Sequence, residues 1–393
     1  MLASDRRQGF SAGLLVLAIG LSVRFPITSV SPVLREIGDE FALSPSELAL
    51  LSAIPVLLFG VAAPLAPVLV ARLGLNRAIT ILLATLAIAT LLRPLTTPLL
   101  FAGTVVVGSA ISLLGILAPQ YIRQSLPARG GLWTGVYTTS FGVSAAVGAA
   151  FTVPLFHAFG EQLEAALMFW AIPLLIAFGV ALGSTRASNG GPHRAPTPRT
   201  RGNISTFRTP GIWPVTGFFA CQALIYFSLT AWLPTLAVAR GMGNAEAGLT
   251  LAWMSIIGLP AALIFPTLAS RARWRTRLVV GVAIVSAVGL GGLALAPVGL
   301  LPTFVALLGL AQSAAFGLAV ALIVFTAPSS HETAAFSAVS QGVGYLVAAI
   351  GPLVVGLLAD VGIGWREIVL TLIAASVGEL LFGIGAARAS ETT

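Results

Sequence analysis

The stretch FSAGLLVLAIGLSVRFPITSVSPVLREI, residues 10–37, decides the fold class. Fourteen residues without a charge precede Arg24; Pro26, Thr28, Ser29, Ser31 and Pro32 follow, and acidic residues come at Glu36 and Asp39. A helix crosses the hydrocarbon core of a bilayer with roughly 20 apolar residues, and this run supplies them. A guanidinium inside such a run costs about 2.5–3.5 kcal/mol even on insertion scales, so it normally faces a partner or a wet cavity. Arg24 is therefore a site candidate from the outset.

The same character recurs outward through the chain. Of 393 residues, 57% are hydrophobic and 9% are charged, with mean hydropathy +0.98. Soluble domains carry about 25% charged residues, so the solvent of this chain is lipid. Spans are expected at 10–37, 46–71, 78–96, 99–122, 130–157, 163–183, 211–239, 244–270, 276–297, 301–326, 332–358 and 365–387. The fold class is thus an all-α membrane protein of twelve transmembrane helices in two bundles of six. No convincing small-residue cleavage site follows the first span, which reads as a retained helix. Residues 184–210 are polar and rich in Pro, Gly and Arg, a linker lying in water. The expected domains are an N-terminal bundle at 1–183, the cytoplasmic linker at 184–210 and a C-terminal bundle at 211–393.

All 21 basic residues are arginine and the net charge is +8. That balance could point to nucleic acid, but the arginines sit at helix ends, where topology explains them. With the N-terminus inside, sixteen arginines fall on inner segments and four, Arg35, Arg93, Arg240 and Arg366, on outer ones. Both termini and the linker are therefore expected in the cytoplasm, with the chain multi-pass in the inner (plasma) membrane. The single Cys221 forms no internal disulfide and three scattered histidines make no metal-ligand pattern, so neither metal nor cofactor is expected.

The halves repeat. At an offset of 201, Gly108 falls on Gly309 and Ser125-Leu126-Pro127 on Thr326-Ala327-Pro328; at 202, Pro32 falls on Pro234 and Arg24 on Tyr226. Arg72 matches Arg271 and Glu47 matches Glu246 at 199. Six-helix halves related as parallel repeats resemble the major facilitator superfamily, whose substrates bind near the midplane between halves. Pro55, Pro64, Pro67, Pro260 and Pro266, with glycines such as Gly135, Gly148, Gly342 and Gly351, suit helices that rock, and equally suit static close packing.

Within that architecture Arg24 lies about 21 Å along its helix from Phe10, past the midplane, on a helix that lines the central cavity. A substrate or gating role is preferred to outward snorkelling. Its planar fork of donors suits a small anion or the oxygens of nitro and carboxylate groups. Gln222 and Tyr226 are one turn apart in the seventh helix, and Gln341 and Tyr345 share a face of the eleventh. Tyr137 in the fifth helix and Gln312 in the tenth complete the substrate-binding candidates. Interhelical hydrogen bonding weighs equally with a cavity role for Gln222, Tyr226 and Gln341, and is preferred for the others. Glu379, in the twelfth helix, is a coupling candidate, although the peripheral place of that helix favours a structural carboxyl, protonated or locally paired.

Four stretches carry a closer resemblance: VRFPITSVSPVL at 23–34, APQYIRQSLPARGGLWTGVYT at 118–138, ACQALIYFSLTAWLP at 220–234 and SAVSQGVGYLVAAIGPLVVGLLAD at 337–360. They resemble the cyanate permease and 2-nitroimidazole transporter family of that superfamily. The resemblance implies a first-helix arginine at Arg24, a basic residue closing the fourth helix at Arg123, and the family's Thr-Gly-x-Tyr motif at Tyr137. Ser22 and Gly115 stand where that family usually has asparagine. The superfamily's Gly-x-x-x-Asp-Arg-x-Gly signature survives only as Arg72 and Gly74, with Pro67 and Ala71 replacing Gly and Asp, so the charge latch at the inner gate is incomplete. Arg72 and Arg123 are the gating candidates.

The expected function is a secondary active or facilitative transporter of a small anionic or polar solute, cyanate-like or nitroimidazole-like, working by alternating access. The alternative is an efflux pump for neutral or hydrophobic drugs. A polytopic membrane enzyme is disfavoured: no paired carboxylates, His-x-x-Glu-His or Cys/His cluster occurs. A chain without lysine has no phosphate-binding Gly-x-x-x-x-Gly-Lys loop, so ATP does not drive it directly. The expected partners are a small-molecule substrate and the lipid bilayer, with protons a candidate coupling ion and no nucleic acid, for a monomeric chain.

Overall fold

Lipid offers no hydrogen bonds, so a backbone crossing it must bond to itself, and the described residues do so as helices with no strand among them. The computed structural model describes residues 2–43, 45–188, 204–330 and 332–391. The middle of the expected linker, residues 189–203, and His331 lie outside the described residues. Among the described residues eleven helices are long and apolar enough to cross a membrane, and up to twelve if one bent pair is counted as a single span.

The first compact unit comprises Met1–Ala128 and Ser140–Asn203. Its helices are α1 (Leu2–Ser22), α2 (Phe25–Thr28), α3 (Leu34–Glu40), α4 (Pro45–Val61), α5 (Leu65–Leu73), α6 (Leu75–Leu92), α7 (Thr97–Ser125), most of α8 (Gly130–Ala158), α9 (Leu163–Met168) and α10 (Ala171–Ser188). Val33, Ile37, Leu51, Leu100, Leu163 and Leu167 form one of its buried apolar clusters.

Two of its spans are interrupted, each at a proline. The first runs from Phe10 to Val33 but breaks between α1 and α2 at Val23 and Arg24. Pro26 has no N–H for the Ser22 carbonyl and its ring crowds that carbonyl, so the ladder cannot continue. A new turn begins at Arg24, whose carbonyl accepts from the Ile27 and Thr28 amides and from Thr28 Oγ1, at 3.1, 3.0 and 3.0 Å. The expected continuous helix over 10–37 is thus two helices and a 3-10 turn, Ser31–Val33, before α3. The second span, α4 and α5, bends by 63° at residues 62–64. Pro64 has no N–H for Gly60, so the Ala63 amide turns to the Gly60 carbonyl at 3.3 Å. The Phe59 carbonyl, released by that turn, takes the Ser112 hydroxyl of α7 at 2.9 Å.

The second compact unit comprises Arg129–Thr139, which holds the start of α8, and Ile204–Thr393. Its helices are α11 (Ile212–Ala239), α12 (Asn244–Ala269), α13 (Ala272–Leu295), α14 (Leu301–Thr326), α15 (Thr333–Asp360) and α16 (Trp365–Ala389). Thr138 Oγ1 of α8 donates to the Ala262 carbonyl of α12 at 2.8 Å. Phe218, Phe219, Leu318, Leu322 and Phe336 form a core among α11, α14 and α15, and α14, which has no charged residue, is buried along most of its length.

The internal repeat is visible in how helices touch within each unit. A Cβ on Gly108 of α7 would lie 3.0 Å from Pro55 Cα of α4, and one on Gly309 of α14 would lie 2.2 Å from the Met254 carbonyl oxygen of α12. Positions 55 and 254 stand in nearly the same relation as 108 and 309, so one close helix crossing is built twice. A second recurs where Gly148 of α8 meets Phe25 and Thr28 of α2, and Gly351 of α15 meets Leu224 and Ser228 of α11.

Candidate functional site

Arg24 is half-buried at the break in the first span. Its guanidinium carbon lies 4.5 Å from the Phe141 ring centroid on α8 and 6.0 Å from that of Phe59 on α4. Ring faces attract a cation by about 0.5–2 kcal/mol but do not neutralise it. Nε has no hydrogen-bond partner, and no carboxylate pairs with Arg24 among the described residues. The chain supports this position from both sides: Phe25 stacks on Trp170 with centroids 4.6 Å apart, and Trp170 Nε1 donates to Thr152 Oγ1 at 3.0 Å. Ser22, just before the break, turns its hydroxyl back to the Ala18 carbonyl, while the Ser29 hydroxyl beyond it is wholly buried and has no partner. The arrangement is a cation beside two rings with its Nε unpartnered, able to hold a small anion or an acceptor oxygen.

The candidates of the second unit form two groups. Gln222 of α11 donates from Nε2 to the Gln312 main-chain carbonyl of α14 at 3.3 Å, and Gln312 Nε2 donates to Ser286 Oγ of α13 at 3.0 Å. Both glutamines keep a buried Oε1 without a donor. Tyr345 of α15 meets Phe219 edge-on, centroids 5.0 Å apart, and lies 6.1 Å from Phe227, which itself meets Tyr226 at 5.5 Å. Gln341, buried one turn before Tyr345, donates to Ser337 Oγ at 2.7 Å. Tyr137 is buried in the part of α8 that belongs to this unit. Interhelical bonding thus engages Gln222 and Gln312, while Tyr226 and Tyr345 sit half-buried in an aromatic set.

Among the gating candidates, Arg72 is exposed in the last turn of α5, and Arg123 is half-buried in the last turn of α7 and engaged there. Glu379 is fully buried in α16. Three buried features escaped the sequence reading. Arg93, read as an outer-segment arginine, is only 1% exposed, with Nε and Nη2 unpartnered, where Gly103 lets α7 close on it. Arg275 donates to the carbonyls of Ala269 and Ser390 at 2.9 and 2.6 Å and lies over Phe325. Ser286 is wholly buried between α13 and its neighbours. A lone serine in an apolar run, or an arginine before Pro94, carries no local mark of such burial.

Comparison with known proteins follows the same lines. The family model described as Major Facilitator Superfamily matches residues 10–307. The uncharacterized transporter YycB of Bacillus subtilis (strain 168) is 32% identical over 377 residues, 95% of this chain and 92% of that one. The 2-nitroimidazole transporter of Escherichia coli (strain K12) is 31% identical over 392 residues, covering 99% and 98%. The cyanate transport protein CynX of the same organism is 27% identical over 350 residues, covering 88% and 90%. Among solved structures, the transporter FucP in its outward conformation aligns with a TM-score of 0.74 at 14% identity, over 94% of this chain and 97% of that chain, a likeness of fold.

Proposed function

The chain belongs to the major facilitator superfamily, a family of membrane transporters and not of enzymes, and from that premise we propose that it moves a small anionic or polar solute, cyanate-like or nitroimidazole-like, by alternating access. The observation that carries the reading is the Arg24 guanidinium, set at a helix break with no carboxylate against it. Discontinuous helices in transporters present exposed polar groups to substrate, and a fork of N–H donors fits a linear anion or the two oxygens of a nitro group. Tyr226, Gln222 and Gln341 are the proposed contacts on the second repeat, with Tyr137, Tyr345 and Gln312 behind them, and Arg72 and Arg123 act at the gate. The bundles 1–183 and 211–393, joined by 184–210, are the proposed moving halves of a monomer with both termini cytoplasmic in the inner membrane; the arginine asymmetry supports that orientation.

The test is a thermal-shift screen of cyanate, 2-nitroimidazole and other small anions on the full chain and on Arg24→Ala. One of these probes should raise the melting temperature of the wild type and leave the variant unmoved. A probe that stabilises both equally overturns the Arg24 reading. Phe59 and Phe141 beside the guanidinium favour a second reading, an efflux pump for neutral or hydrophobic drugs. Under it, Arg24→Gln changes which compounds are carried without abolishing flux.

A further inference from the structure

One polar chain in the second unit is left unexplained by a substrate site. It runs from Gln222 on α11 through the Gln312 carbonyl and side chain on α14 to Ser286 on α13, by the 3.3 and 3.0 Å bonds described above. Glu379 on α16 lies beside Ser286 at its far end. Gln222, Gln312, Ser286 and Glu379 are 2%, 1%, 0% and 0% exposed. Glu379 is the only buried carboxyl side chain among the described residues.

The chain is short of donors. Gln222 Oε1, Gln312 Oε1 and both carboxyl oxygens of Glu379 are buried with no hydrogen-bond partner; the Ser286 hydroxyl is near the carboxyl without reaching bonding geometry. All four orphans are acceptors. Leaving buried acceptors empty costs about 1–3 kcal/mol each. Of the two forms of structural carboxyl favoured from sequence, protonated or locally paired, two carboxyl oxygens without a hydrogen-bond partner favour the protonated one.

No fixed cation supplies the deficit. α11 brings only Cys221 and, further on, Tyr226; α14 has no titratable residue; α15 carries Tyr345 and its last residue Asp360. On α13 the arginines end at Arg277, nine residues before Ser286, and on α16 Arg366, Glu367 and Arg388 sit near the two ends of the helix. Nine helical residues are about 13.5 Å. A metal ion would need more anionic ligands, and no group of three His, Cys, Asp or Glu side chains that could hold one occurs among the described residues. A proton needs no cage. Added to one carboxyl oxygen, it turns an acceptor into a donor, the kind of group the chain lacks.

We propose that Glu379 is the proton-binding group of this transporter, and that Ser286 passes its loaded or unloaded state to the side chain of Gln312. Loading forms an O–H bond on the Glu379 carboxylate with a proton from the aqueous phase, and unloading returns it; no other reactant is involved. The loaded acid donates to Ser286 Oγ, which frees the Ser286 hydroxyl proton to turn away from it. The Gln312 side chain, whose Nε2 donates to Ser286, then adopts a second hydrogen-bonding pattern on α14, the helix whose residue-312 carbonyl holds Gln222 of α11. The inference rests on the transport reading for its purpose but not for its detection.

Infrared difference spectroscopy of the purified full chain, taken as pH is raised, tests the binding step without any solute. The wild type should lose a carbonyl band of a protonated carboxylic acid, Glu379→Gln should lack that band, and Glu367→Gln, at the exposed end of α16, should keep it. A wild type with no such band, or a band that survives in Glu379→Gln, overturns the proposal. Should Glu379→Gln fail to fold, Ser286→Ala leaves the acid in place and must shift the band's frequency; an unshifted band overturns the proposal too. In proteoliposomes loaded with 2-nitroimidazole, Glu379→Gln should lose acid-driven accumulation and keep solute exchange, whereas Arg24→Ala loses both. Accumulation driven by sodium in place of acid counts against Glu379. A wild type that moves no 2-nitroimidazole defeats the substrate reading alone, and the infrared result still decides this one.

Discussion

The first span and α11 occupy equivalent places in the repeat, yet only one of them is broken. Arg24 corresponds to Tyr226 and Pro32 to Pro234 at the same offset, but Pro26 corresponds to Ser228. Pro234 is accommodated inside α11, which runs unbroken from Ile212 to Ala239. Pro26 falls two residues after a charge, and the ladder parts there. One substitution between repeats, proline for serine, thus separates a helix that presents a cation at its break from one that presents a phenol along a continuous face. The charge costs energy in lipid, and the break gives it hydrogen-bonding freedom that a regular helix would deny.

The comparison is broken most severely by installing the missing proline. Ser228→Pro would remove an amide from the middle of α11 and press its ring on the Leu224 carbonyl, where a Cβ on Gly351 would already lie 3.0 Å away. A loss of about 3 kcal/mol or more is expected, seen as a fall in melting temperature of the full chain. Pro26→Ala, the reverse change, should leave stability unchanged or raised; equal losses for both would mean that the two repeats tolerate a break alike. Next in size is Arg24→Ala. Removing two charge-assisted hydrogen bonds should weaken binding of the solute that stabilises the wild type by about 3 kcal/mol or more, over a hundred-fold. Tyr226→Phe should cost only a few-fold, and titration calorimetry with the same probe separates the two. Comparable losses would mean that Tyr226 contributes to solute binding as much as Arg24.

Packing gives a third measure. Gly309→Ala drives a methyl to 2.2 Å from a backbone oxygen, Gly108→Ala to 3.0 Å from a Cα carbon and 3.2 Å from a flexible leucine tip. Overpacking costs about 1–3 kcal/mol, so the first should fall at the upper end and the second at the lower. Melting temperatures that order the other way would show that α7 and α14 are not equivalent supports.

How much of this could be read from the chain depends on sequence distance. Long uncharged runs, two sets of six spans and the pairing of Gly108 with Gly309 are local or periodic signals, and lipid enforces them. Pro26 and Pro64 stand in the sequence, yet both spans read as continuous, because a proline alone does not say whether a helix bends, as at Pro64, or runs on, as at Pro234. The partners were not legible. Gln222 meets Gln312 across 90 residues and Gln312 meets Ser286 across 26, and nothing in CQALIY or IVSAVG names the other. Arg93 shows the same limit: it reads as an outer-segment arginine at the end of the span 78–96, and its burial comes with packing against Gly103.

The smallest expected effect concerns the other interruption. At the bend between α4 and α5 the Phe59 carbonyl has lost its own helix and is held by Ser112 Oγ at 2.9 Å. Ser112→Ala removes that hydroxyl donor from the bend. Measured side-chain hydrogen bonds between membrane helices average about 0.6 kcal/mol, so a loss of that order is expected. Phe59 also lies under the Arg24 guanidinium, 6.0 Å from its ring centroid. A bend loosened at Phe59 should therefore weaken solute binding slightly as well as stability, whereas Ser112→Thr, which restores the hydroxyl, should recover binding. Full stability and unchanged binding in Ser112→Ala would mean that Pro64 alone sets the bend and that the two interruptions of the first unit are independent.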